Sequence, residues 1–293
     1  MTDPDAASQS SQSLALVALV DGSLYSKSVC DHAAWAAKAA GNPVTVVHIM
    51  GRREAPEQRD LSGSIRLGAR SALLNELSEL DAQRSKLSMV HGRAILEDAQ
   101  KLLEDAGVSE VRSLMRRGDL LEAIAELEAD ASMLVIGKRG EAADFARLHL
   151  GSNLERMVRS ATKPVLVASR AYEPIKRAVV AFDGGSSSLK AIDMIARNPL
   201  FVGLAIHVVM VGGDENNNRT ALNQAAALLK TGGHDAELHN LPGAPEAVLG
   251  GFVTQGDVLL MGAYGHSRIR SMIIGSTTSE MLRTCTVPVI LVR

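Results

Sequence analysis

Val258-Leu259-Leu260-Met261-Gly262-Ala263-Tyr264-Gly265, then nine residues, then Gly275-Ser276-Thr277-Thr278: an apolar run ends in a glycine loop that opens onto a helix-forming segment. Val258–Met261 has the length and composition of a buried strand, and the segment around Thr278–Arg283 reads as a helix. A phosphate group needs close backbone approach and several N–H donors. Glycines permit both, because they lack Cβ and accept positive φ. The first turn of the following helix adds unpaired N–H groups and the positive end of the helix dipole. Ser276 and Thr277 supply hydroxyls, or one of them caps the helix. The intervening loop carries His266, Arg268 and Arg270 and no acid. The stretch reads as a phosphate loop.

Working outward, the same stretch occurs earlier in the chain. Gly137 and Gly140 match Gly262 and Gly265, and Gly151-Ser152 matches Gly275-Ser276. Gly118 stands as far before Gly137 as Gly243 stands before Gly262, and Pro164 lies as far beyond Gly151 as Pro288 lies beyond Gly275. An apolar run follows each proline: Val165-Leu166-Val167 and Val289-Ile290-Leu291-Val292. Upstream, Leu14–Val20 ends in Asp21-Gly22 and Ala178–Phe182 ends in Asp183-Gly184. The chain is a duplication.

Within each copy, short Val/Ile/Leu runs alternate with helical stretches. Strands are expected at 14–20, 44–49, 111–116, 133–136 and 165–168, and again at 178–182, 204–211, 236–240, 258–261 and 289–292. Such continuous apolar runs imply parallel strands buried on both faces, hence two tandem doubly wound five-stranded α/β domains. The expected organisation is a disordered tail over 1–13, a first domain over 14–170 and a second over 175–293, with the break where Arg170-Ala171-Tyr172-Glu173-Pro174 interrupts the pattern. The first copy is longer, and most of its excess lies within the charged, Leu-rich segment 51–106. Its Leu67, Leu73, Leu74, Leu77, Leu80 and Leu87 predict one or two long amphipathic helices, with Arg84–Gln100 as a solvated face.

Composition narrows the function. Thirty-one basic against 33 acidic residues give a net charge of −2, so no global basic field points to nucleic acid or an anionic membrane. Aromatics at 3% offer little for stacking bases. Cys30 and Cys285 stand outside any Cys-x-x-Cys or Cys/His cluster and read as small buried hydrophobes of a reducing compartment. No apolar run approaches the ~18 residues of a membrane span. The polar, Ser-rich start lacks Lys and Arg and does not resemble a signal peptide, so a cytoplasmic location is expected. His48 and His207, read at matching places in the second strand of each copy, are expected to be packed or hydrogen-bonded. His234 and His239, lacking a third ligand, are expected at the surface, with no metal site. Nucleophile elbows and Walker loops are absent from the sequence.

The duplicated Gly-x2-Gly-x9-Gly-Ser/Thr pattern after a fourth strand, with Val20-Asp21-Gly22-Ser23 and Phe182-Asp183-Gly184 closing the first, resembles the universal stress protein family over nearly the whole chain. The resemblance implies an adenine nucleotide alpha hydrolase-like fold, and a pseudo-twofold pair joined through the terminal strands Pro164–Ala168 and Pro288–Val292. It also implies an adenine nucleotide, ATP foremost, with or without Mg²⁺, and a stress-response regulatory module rather than a dedicated enzyme. Partners would be the nucleotide itself and a homodimer of chains, with no nucleic acid and no membrane. The favoured ligand set is Asp183, Gly262, Gly265, His266, Arg268, Gly275, Ser276 and Thr277. The weaker set is Asp21, Gly137, Gly140, Gly151 and Ser152.

The two copies are not equivalent. Ten residues separate Gly140 from Gly151, one more than the pattern, and Glu141 and Asp144 put acids in that loop, offset in part by Lys138 and Arg139. One nucleotide is therefore expected, in the second copy. A valine at 275 is expected to abolish binding by adding bulk and resisting positive φ. The alternatives are a ligand-free interaction scaffold, in which the glycines only turn the chain and Asp21 and Asp183 only close turns, and a weak ATP hydrolase.

Overall fold

A computed structural model describes residues 14–51, 67–138, 152–263 and 275–293, without the side chains of 67–75 and 152. The tail 1–13 lies outside the described residues. In the first half the order is β1 (Ala15–Leu19), α1 (Tyr25–Ala40), β2 (Val44–Met50), α2 (Leu67–Asp105), β3 (Val111–Arg117), α3 (Leu120–Leu127), β4 (Ala131–Gly137), α4 (Ser152–Ser160) and β5 (Val165–Ala168). The second half repeats it: β6 (Arg177–Ala181), α5 (Ser186–Arg197), β7 (Ala205–Val211), α6 (Glu215–Thr231), β8 (Ala236–Leu241), α7 (Pro245–Phe252), β9 (Asp257–Gly262), α8 (Ser276–Thr284) and β10 (Val289–Val292). The ten expected strands form within a residue or two of their expected ends.

The strands make one sheet of order β3-β2-β1-β4-β5-β10-β9-β6-β7-β8. Within each half every neighbouring pair is parallel, and only β5 and β10, the two expected terminal strands, pair antiparallel, Leu166 facing Ile290. The order reads identically outward from this central seam. The inner strands are mainly apolar because both faces are covered, whereas the edge strands β3 and β8 carry exposed polar residues. One face packs against α1, α2, α5 and α6 through Val46, Val180, Ile192 and Leu229; the other packs against α3, α4, α7 and α8 through Val167, Met157, Val289 and Met281. At the seam Val165, Leu166, Val167, Val289, Ile290 and Leu291 are all buried, each contributing about 1.5–3 kcal/mol.

Charged side chains flank the seam on both sides. Lys138, buried beyond β4, donates to the carbonyl of Cys285 at the end of α8. Arg293, beyond β10, donates to the carbonyls of Arg159 (3.1 Å) and Ala161 (3.2 Å) at the end of α4. Both cations meet helix C-termini, where the dipole favours positive charge. Lys138 therefore serves the join between halves, while the loop acids it was expected to offset, Glu141 and Asp144, lie outside the described residues.

Of two further expectations, one holds and one is revised. Over its described part beyond residue 66, the Leu-rich segment forms a single helix, α2, of 39 residues. Its packed face is Ile95, Leu96, Ala99 and Leu103, so the stretch read as solvated, though mostly exposed, also packs on the core near its end, whereas Leu77, Leu80 and Leu87 are exposed. A helix this long outruns the seven-residue strands it covers, so only its C-terminal half has a sheet to pack on.

Candidate functional site

In a doubly wound sheet the ligand crevice opens beyond the strand C-termini, where the strand order reverses; here that is between β1 and β4, and between β6 and β9. Both crevices contain cavities. The second is about 500 Å³, bounded by Asp183, Val209–Gly213, Gly262 and Gly275–Thr278. The first is about 80 Å³, bounded by Asp21, Ser26, Gly137, Lys138 and Asn153. Because β5 and β10 run antiparallel, the two crevices open at opposite rims of the sheet.

The aspartates are held alike. Asp183 Oδ1 accepts from the Ser188 hydroxyl (2.6 Å) and the Gly185 N–H (2.8 Å). Asp21 Oδ1 accepts from Ser26 (3.3 Å) and the Ser23 N–H (3.0 Å). The chain reverses at Gly22 and Gly184, with φ of 79° and 74°, values that favour glycine. Each carboxylate thus closes its strand-to-helix turn, as the structural alternative required, and the same turn fixes it at the cavity wall. The serine partners Ser26 and Ser188 were missed at sequence level, although each stands five positions after its aspartate.

The loop glycines differ in role. A Cβ on Gly262 would meet Ser187 Cβ at 2.7 Å, so this glycine lets the start of α5 approach β9. Gly275 is the N-cap of α8 with φ −55° and makes no side-chain cap. The positive-φ argument for this position therefore fails, and only the bulk argument stands. Ser276 is not the cap either; it is the exposed first helical residue. Thr277 donates to Glu246 Oε1 (2.7 Å), which holds that carboxyl below its ordinary value, and buried Thr278 donates to the Gly262 carbonyl (3.0 Å). The first turn of α8, Ser276 included, thus lines the cavity. Opposite it, Asn218 from α6 donates to the Gly212 carbonyl and to Asn240 Oδ1, fixing the Gly212-Gly213 turn.

The first crevice is braced differently. Asp119 caps α3 and pairs with Arg156 of α4 at 2.6 Å; that hydrogen bond holds the Asp119 carboxyl below its ordinary value. Of the residues expected at the sites, Asp183, Gly262, Gly275, Ser276 and Thr277 line the second cavity, and Asp21 and Gly137 the first. Gly140, Gly151, Gly265, His266, Arg268 and Arg270 lie outside the described residues, as does the side chain of Ser152.

The histidines need revision. The strand register places Val44 opposite Leu16 and Ile206 opposite Ala178, so His48 and His207 do not occupy matching positions. His48 bonds the Val20 carbonyl (2.9 Å). His207 faces the opposite side of the sheet and bonds His239 (3.0 Å), so His239 is a packed strand residue and not a free surface one. Among the described residues no helix is long and apolar enough to cross a membrane.

Fold and crevices together define a tandem protein of two doubly wound α/β units, each with a glycine-bounded site beyond its strands. The model of the universal stress protein family matches the chain twice, over residues 15–169 and 174–293. A universal stress protein of Synechocystis sp. is 36% identical over 279 residues, spanning 93% of this chain and 97% of that protein. A second, from Mycolicibacterium smegmatis, is 24% identical across 97% of this chain and 99% of its own length. The crystal structure of a universal stress protein from Archaeoglobus fulgidus shares the fold with a TM-score of 0.70 at 20% identity, covering 96% of this chain and 99% of that one. The chain belongs to the universal stress protein family.

Proposed function

We propose that the chain is a cytoplasmic nucleotide-responsive regulatory module that binds one adenine nucleotide, ATP with or without Mg²⁺, in its second half. The observation that carries this reading is the difference between the crevices. About 500 Å³ falls in the range of small-molecule sites, roughly 300–1,000 Å³, and about 80 Å³ does not. The phosphates are assigned to the Gly262–Gly275 loop, the first turn of α8 and Ser276, with Gly265, His266 and Arg268 completing the loop. Asp183 is assigned to the nucleoside. The first-half set, Asp21, Gly137, Gly140, Gly151 and Ser152, is assigned no nucleotide, because the cavity beside Asp21 and Gly137 lacks the volume. No nucleophile–base pair is assigned at either crevice, so signalling through conformation is favoured over turnover. Pairing of two halves within one chain is read as the counterpart of a homodimer.

Isothermal titration of the whole chain with ATP tests this. We expect about one site per chain, abolished by Gly275→Val with the circular dichroism spectrum unchanged. Two equal sites would refute the asymmetry. No heat in the wild type would favour a ligand-free scaffold, and phosphate release over time would favour a hydrolase.

A further inference from the structure

Away from both crevices, β7 and β8 bring three metal-ligating side chains together on one face of the sheet. The register pairs His207 with Glu237 and Val209 with His239, and alternation along the strands puts His207, Glu237 and His239 on the same side. His207 Nδ1 lies 3.0 Å from His239 Nε2; Glu237 Oε2 lies 3.6 Å from the first and 3.9 Å from the second. All three donor atoms fall within 4.8 Å of one another, the one such group among the described residues. We propose that His207, Glu237 and His239 form a binding site for a divalent transition cation, zinc foremost, with the remaining position open to solvent.

The distances carry the assignment. Donors on a tetrahedral zinc at about 2.0–2.1 Å lie about 3.3 Å apart, and the observed 3.0, 3.6 and 3.9 Å bracket that value. Two imidazoles and one carboxylate are a borderline donor set suited to zinc, and unsuited to magnesium or calcium, which take oxygen. The rings are held before any ion arrives. Phe252 of α7 packs edge-on against both, with centroids 6.1 Å from His207 and 4.9 Å from His239. His207 is buried while Glu237 is exposed, so the site has a fixed floor and an open mouth. Arg177 approaches from β6, but its charge is met by buried Asp257 at 2.6 Å. Binding would clip edge strand β8 to β7, independently of any nucleotide.

Full-length protein, stripped with chelator and freed of nucleotide, is titrated with zinc chloride by calorimetry, and with cobalt chloride by visible absorption. We expect one tight site per chain and an intense tetrahedral cobalt band. Both should fall at least tenfold in His239→Ala and in Glu237→Gln. Because His207 is buried, the two more exposed ligands are chosen, and melting without metal checks that each variant folds. If a variant loses its fold, His239→Gln, which keeps bulk against Phe252, replaces it. Unchanged stoichiometry and affinity in the variants would overturn the site, as would a wild type that takes up no zinc.

Discussion

Asp21 and Asp183 make the same hydrogen bonds in turns of the same geometry, yet only one borders a roomy cavity. Replacing either by alanine removes the acceptor that closes its turn and should cost about 1 kcal/mol in denaturant unfolding. Their ligand behaviour should diverge: Asp183→Ala loses ATP affinity in titration, and Asp21→Ala keeps it. Equal effects of both on ATP would contradict the assignment to the second half. The pair also marks what was legible. Aspartate, glycine and the loop framework stand in the sequence because backbone reversal and close approach demand particular residue types. Ser26 and Ser188 were passed over because a serine near a helix start has many roles. The His239 contact was illegible: it depends on strand register, which no local pattern in β8 specifies.

Among the elements, α2 shows most clearly where pattern and packing part. Its leucines recur at helical spacing and predict the helix correctly, but spacing alone does not say which turns find a surface. Leu103 is fully buried beneath the first half, and Leu87 is exposed in the overhanging part. Leu103→Ala should therefore cost about 2–5 kcal/mol through lost transfer energy and the cavity left behind. Leu87→Ala should stay within about 0.5 kcal/mol, as surface changes do. Urea denaturation of the two variants checks both values, and a large effect at Leu87 would mean that the overhang is covered in solution. The inner strands were legible nearly to the residue, because their Val/Ile/Leu-rich runs between polar turns leave little choice of boundary.

At the scale of the molecule, the halves share one sheet, and a core layer that includes Val46 and Val180 runs across both. They should therefore melt in one transition by circular dichroism and calorimetry, not as two separate domains. ATP at about 100 times its Kd contributes roughly 2.7 kcal/mol. Spread over the unfolding entropy of the entire chain, that is a rise of about 4 °C, and about twice that if the second half unfolded alone. The size of the shift thus reports cooperativity as well as binding; two resolved transitions, with only one moving, would show that the seam does not couple the halves. The antiparallel seam has one more consequence. Opposite rims mean that the molecule has no common doorway: the two mouths face away from each other. Anything that gripped both mouths at once would have to reach around the whole sheet.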